Sequence, residues 1–279
     1  MTAGGGAEPG LVVGRPDIRL RPFVDRYLGY REVTALPLVR REAAGAFVVL
    51  VLGWGAPLDV VDPRCAERGA YGVDSFVAGT FDGWCTTRTV GVGTGVELLL
   101  APLAARRILG VPLVELANRA VAVDRLADGW LDRLRRRLAE TPQWPGRFRL
   151  LDAALTARLA ATAPVDPRVA WAWDRLADSA GRVGVGALAA ELGWSRRHLA
   201  TVFRREVGLP PKTTARLLRF ARAHAALTGE RPAGAPPPGG AEVAAEYGYY
   251  DQSHLIREFH EFAGATPLRL ATSHPSNPG

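Results

Sequence analysis

Ala189-Ala190-Glu191-Leu192-Gly193-Trp194 returns later in the chain as Ala244-Ala245-Glu246-Tyr247-Gly248-Tyr249. A polar residue able to cap a helix follows each copy, Ser195 and then Asp251. Next comes a segment with leucine and, four residues on, phenylalanine: Leu199 and Phe203, then Leu255 and Phe259. This spacing reads as helix, tight glycine turn and second helix, twice over. Leu188, Leu192 and Trp194 with Leu199 and Val202 make the apolar seam of the first crossing; Val243, Tyr247 and Tyr249 with Leu255 and Phe259 make the second. Ala189 and Ala244 fall where two backbones approach, and Gly193 where the turn calls for a positive φ.

Two complete helix-turn-helix patterns in tandem point to DNA. The segment Gly248-Tyr249-Tyr250-Asp251-Gln252-Ser253-His254-Leu255-Ile256-Arg257-Glu258-Phe259, followed by Ala263-Gly264-Ala265-Thr266-Pro267, resembles the second-motif signature of the AraC/XylS family of bacterial transcription regulators. The resemblance extends from about Pro164 to Thr272. It implies an all-α DNA-binding domain, here residues 163–273, with its first motif at about 185–207 and its second at about 240–263. A long helix, Thr213 to Leu227, joins the two. Gly229 to Gly240, rich in proline and glycine, is a loop by composition. It departs from the family pattern, whose connection is several residues shorter.

The composition agrees with an acidic partner. The chain of 279 residues suits two domains and carries a formal charge of +7. Eight cationic side chains against Glu206 alone lie between Arg196 and Arg222. A solvated helix face is the ordinary meaning of such a run; inside a helix-turn-helix, DNA contact is the better one. Cys65 and Cys85 are the only cysteines, so no disulfide framework is needed and a cytoplasmic location is expected. No secretory signal and no membrane-spanning apolar run is read in the sequence.

Residues 1–15 read as a flexible tail and residues 16–162 as a separate α+β domain, with a short tail at 274–279. Pro16 to Tyr30 is mixed, a strand and then a short helix. Phe47 to Leu52 is a buried strand. Ser75 to Gly79, Cys85 to Val90 and Val96 to Leu100 are further strands, with Gly91 to Gly95 as a turn between the last two. Ala101 to Leu109, Val123 to Glu140 and Phe148 to Ala161 are helical. Short strands at this spacing give a small sheet or barrel plus helices. Gly95-Val96-Glu97-Leu98, Leu109-Gly110-Val111-Pro112 and Glu115-Leu116-Ala117-Asn118-Arg119 resemble the N-terminal domain of AraC-like regulators. That likeness implies a sensor or pairing domain, often a cupin-like barrel, with a small-molecule effector or a homodimer as its partner, and RNA polymerase as a partner of the whole protein. Trp54, Phe76, Phe81 and Trp84 read as core by default, with a ligand pocket as the alternative.

The site residues follow from helical geometry. With Leu199, Val202 and Phe203 inward, Arg197, Ala200 and Thr201 lie nearest the groove, at the positions where the family places base contacts. On the second helix Gln252, Ser253, Ile256 and Arg257 face outward. Arginine suits guanine, glutamine suits adenine, and an apolar side chain suits a thymine methyl. Arg196, Arg204, Arg205 and Lys212 suit phosphates. His198 and His254, each one residue before a core leucine, are packing or phosphate contacts. No metal, cofactor or catalytic set is read in the chain; all five histidines lie beyond residue 190, so the first domain has no imidazole for a cupin metal site or a His-based triad. The expected function is a sequence-specific transcription regulator and not an enzyme. The alternatives are a DNA-repair-linked enzyme with Cys65, beside Arg64, as nucleophile, and a regulator that needs no ligand.

Overall fold

A computed structural model describes residues 10–126, 128–229 and 238–273 of the chain. The expected tail at 274–279, the first nine residues and the centre of the proline-rich loop, 230–237, lie outside the described residues.

The first domain is α+β. Its sheet contains β1 (Gly10–Gly14), β2 (Val24–Glu42), β3 (Val48–Gly53), β4 (Leu58–Val61), β5 (Ala70–Val73), β6 (Phe76–Ala78), β7 (Cys85–Leu100) and β8 (Ala120–Ala122). The order is β1-β2-β7-β3-β6-β8, with β4 beside β7 and β5 beside β4, and every pair is antiparallel. β7 is the spine of this arrangement. One edge follows β2; the other pairs with β4 through Thr86–Thr89 and with β3 through Gly95–Leu100. Sharing one edge between two partners makes the sheet curl. β1 and β8 do not pair with each other, so the sheet is open.

Three local expectations change. Gly91 to Gly95 is not a turn: it continues β7, so two expected strands are one. Gly91 takes φ 93° opposite the bulge that Ala35 to Pro37 make in β2, and a Cβ on Gly95 would lie 2.6 Å from the Tyr30 hydroxyl. Pro16 to Tyr30 runs in the reverse sense: hydrogen-bonded turns at Leu20 and Phe23 lead into β2. Gly10–Gly14, assigned to the tail, is β1, which satisfies the outer edge of β2 through Tyr27 to Arg31.

Helices α1 (Pro102–Leu109), α2 (Trp130–Glu140) and α3 (Trp144–Ala161) cover one face of the sheet. There Leu50, Leu52, Leu98 and Leu100 meet Ile108, Leu134, Leu138 and Leu155 in one core. Helix α2 starts later than expected, because Val123–Arg125 is a single 3-10 turn. The opposite face carries a second cluster around Val51, Val60, Phe76 and Phe81.

The remainder is helical: α4 (Pro167–Asp178), α5 (Val185–Glu191), α6 (Arg196–Val207), α7 (Pro211–Thr228), α8 (Gly240–Glu246), α9 (Gln252–Ala263) and α10 (Pro267–Ser273). Asp166 caps α4 by accepting from the Arg168 amide at 2.9 Å. Helix α7 belongs to two cores at once. Ala215 and Leu218 pack beside Leu188, Leu199 and Phe203 of the first motif, while Leu217, Phe220 and Ala223 pack with Leu255, Phe259 and Phe262 of the second. No helix among the described residues is long and apolar enough to cross a membrane.

Candidate nucleic-acid interface

The repeated phrase produces the same turn twice. Gly193 and Gly248 sit at φ 66° and 77°, the left-handed region where glycine carries no Cβ penalty. The Trp194 amide donates to the Ala189 carbonyl at 2.8 Å, and the Tyr249 amide to the Ala244 carbonyl at 2.9 Å. These bonds, spanning five residues back, satisfy the last carbonyls of α5 and α8 and turn the chain sharply. Ala189 and Ala244 are both buried, as the close approach of the helices requires. The capping residues then start the recognition helices: Ser195 Oγ accepts from the His198 amide at 3.1 Å, and Asp251 Oδ1 from the His254 amide at 2.7 Å. The second turn holds one more residue, Tyr250, which is almost fully exposed.

On α6, Arg197 and Thr201 are exposed and Ala200 is half-buried. The Thr201 hydroxyl donates back to the Arg197 carbonyl at 3.0 Å, which leaves its methyl group as the outward feature. On α9, Gln252, Ser253 and Arg257 are exposed and Ile256 is half-buried. Each recognition helix thus offers a guanidinium and at least one shorter side chain from the surface opposite its core.

The cationic run separates into two groups. Arg196, Arg197, Arg204, Lys212 and Arg222 are exposed. Arg205 is exposed but paired with Glu206 at 2.7 Å. Arg216 and Arg219 turn the other way and hold Glu258 of α9, at 2.7 and 2.8 Å. Burial by itself would lower the Arg216 pKa; its bonds to Glu261 and Glu258 outweigh that and raise it. These two arginines fix α9 to α7. Counting charge along the sequence could not tell them from the exposed cations of the run, because their partner lies beyond the proline-rich loop.

The histidines pack. His198 meets the Trp194 ring edge-on at 4.7 Å, and His254 meets Tyr249 at 5.3 Å, so each imidazole braces the turn before its own helix. His254 Nε2 also lies 3.4 Å from Glu258.

The sheet domain touches both motifs. The end of α6 rests on it through Thr80 Oγ1, which donates to the Val207 carbonyl at 3.2 Å, and through the Arg106–Glu206 ion pair at 3.2 Å. The end of α9 does so through the Ala44 amide, donating to the Phe262 carbonyl at 2.7 Å, and Arg41, donating to the Gly264 carbonyl at 2.7 Å. Between these seams lies a cavity of about 450 Å³. Its walls are sheet residues including Val49, Phe76, Phe81 and Leu99, closed by Phe220, Ala221 and His224 of α7. Phe76 and Phe81 from the expected aromatic set line it; Trp84 packs beneath Arg41, and Trp54 beside Trp144 on the other face. Polar residues that carried no expectation also line the cavity. Glu97 and Glu42 come from the sheet, and His224 enters from a helix distant in sequence. An acidic residue inside the apolar run Val96 to Leu100 was the available signal for Glu97. Burial pushes the Cys85 thiol up to about 12, which disfavours its thiolate form.

Two capped recognition helices on one linker helix define a double helix-turn-helix DNA-binding module. Residues 188–273 match the family model described as "Helix-turn-helix domain", and the chain carries this domain in its AraC type. No curated protein sequence matches the chain. Among solved structures, ToxT from Vibrio cholerae at 1.65 Å is 9% identical with a TM-score of 0.49, over 88% of this chain and 97% of ToxT. A ToxT structure from Vibrio cholerae strain SCE256 with unsaturated fatty acid bound is 9% identical with a TM-score of 0.44, over 95% of this chain and 97% of that one. The C-terminal domain of AraT, a response regulator from Geobacillus stearothermophilus, is 19% identical with a TM-score of 0.34, over 39% and 87%. These likenesses are too distant to transfer a ligand or a target to this chain.

Proposed function

We propose that the chain is a sequence-specific transcription regulator whose two recognition helices enter successive major grooves, and whose grip on DNA is modulated by a small effector in the cavity. The observation that carries this reading is the position of α7. The same helix joins the two motifs and closes the cavity, so an occupant that presses on Phe220 or Ala221 shifts the element on which the motif spacing depends. Two grooves on one DNA face are about 34 Å apart, a span that one chain with two fixed motifs can bridge. Contact with RNA polymerase and pairing of two chains complete the reading as partners of the bound state.

Arg197 is assigned to a guanine edge, Gln252 to adenine, and Ala200, Thr201 and Ile256 to thymine methyls, with Ser253 and Arg257 completing the second helix. Arg196, Arg204 and Lys212 are assigned to phosphates, and Arg205 only where DNA displaces it from Glu206. The test is binding to the DNA upstream of the chain's own gene against shuffled DNA, across a salt series. The upstream DNA binds more tightly, and affinity falls steeply as salt rises. In the same assay Arg197→Ala loses about 1–3 kcal/mol, confined to one base position, with the salt dependence almost unchanged. An equal loss on all sequences, with the logarithmic salt slope reduced by about one, would make Arg197 a phosphate anchor.

A further inference from the structure

The cavity has apolar walls and a polar lining that includes Glu97 and Glu42, with Arg26 and His224. Glu97 projects from β7 on the face shared with Leu28 and Val51, its cross-strand neighbours, and forms part of the lining. Its carboxyl group has no hydrogen bond and no ion pair within 4.0 Å among the described residues. Glu42, also in the lining, takes a hydrogen bond from the Thr87 hydroxyl at 3.0 Å. Arg26 is the one arginine or lysine of the lining, and its guanidinium pairs with Asp25 at 3.0 Å. Burial, then the nearby Glu42 charge, raises the Glu97 pKa, and the Arg26 charge offsets only part of that rise. A carboxylate held in apolar surroundings without a partner is costly, and a cation of matching shape relieves that cost. An anionic ligand would add a like charge beside Glu97 and Glu42. Aromatic walls at Phe76, Phe81 and Phe220 also favour a cation over an anion. The volume falls within the range of small-molecule sites, roughly 300–1,000 Å³.

We infer that the cavity takes a small apolar amine, whose ammonium group pairs with Glu97 while its hydrocarbon body fills the space between the sheet and α7. The inference rests on the reading of this cavity as an effector site and adds the chemical class of the effector.

The experiment is calorimetric titration of the full-length protein with 4-phenylbutylamine and with 4-phenylbutanoate, which share a skeleton and differ in charge. The amine binds at least about tenfold more tightly, the size of one charge-assisted hydrogen bond, and Glu97→Gln removes the preference. A carboxylate that binds equally well or better overturns the inference, as does an amine preference that survives Glu97→Gln or a failure of both probes to bind. Glu97→Gln is close to isosteric, and a melting temperature no lower than that of the parent establishes that it folds. The effector reading is checked separately with Ala78→Phe, which fills the cavity from β6. A change in DNA affinity for that variant keeps the reading, whatever the probes do. Unchanged affinity, with the fold intact, ends the reading and the inference together.

Discussion

Replacing Glu258 with glutamine lowers the stability of the second motif by about 3 kcal/mol. Glu258 is 1% exposed, and one of its oxygens serves both Arg216 and Arg219. Removing its charge leaves Arg219, only 18% exposed, with no carboxylate within salt-bridge distance, over the ring of Tyr249. Breaking a buried ionic cluster by deleting one partner typically costs about 3–5 kcal/mol. The lower end applies because Arg216 keeps its second partner, Glu261. Glu261 itself is 46% exposed, so Glu261→Gln costs no more than about 1 kcal/mol. Urea titration of both variants decides the matter: equal effects would show that the cluster does not hold α9 in place.

Phe220→Ala has a comparable effect by a different route. The ring is buried, meets Phe259 at 4.9 Å and Phe262 at 5.3 Å in edge-on geometry, and faces the cavity on its other side. Losing a buried aromatic ring costs about 3–5 kcal/mol, and here the existing cavity only grows. The loss falls mainly on one motif, because α5 and α6 draw on the core of Leu188, Leu199 and Phe203. Amide hydrogen exchange therefore speeds up in α8 and α9 while α6 keeps most of its protection. Equal loss of protection in both motifs would mean that the two cores unfold as one.

Where function is carried by short-range pattern, the sequence was readable. Caps, turn glycines and core residues of the helix-turn-helix units lie within about a dozen residues of one another, and each has a local physical reason. The same holds for α7, whose apolar positions recur at helical spacing. Legibility failed where partners are far apart. The separation of Arg216 and Arg219 from the exposed cations of the run depends on Glu258, across the proline-rich loop. β2 was missed as the longest strand because Arg31, Glu32, Arg40 and Arg41 hide its alternation, and Pro37 sits in its bulge. Its pairing with β7 is what makes the Gly91 to Gly95 run a strand. The cavity depends on sheet curvature and on a helix from the other domain, neither of which a linear pattern contains.

Helix α7 packs into the cores of both motifs and holds their spacing. Hydroxyl-radical footprinting of the protein on a duplex selected from random DNA tests it most directly. Two protected tracts on the same face, centred about 34 Å or one helical turn apart, are the predicted result. A single tract, or two tracts on opposite faces of the duplex, would contradict it.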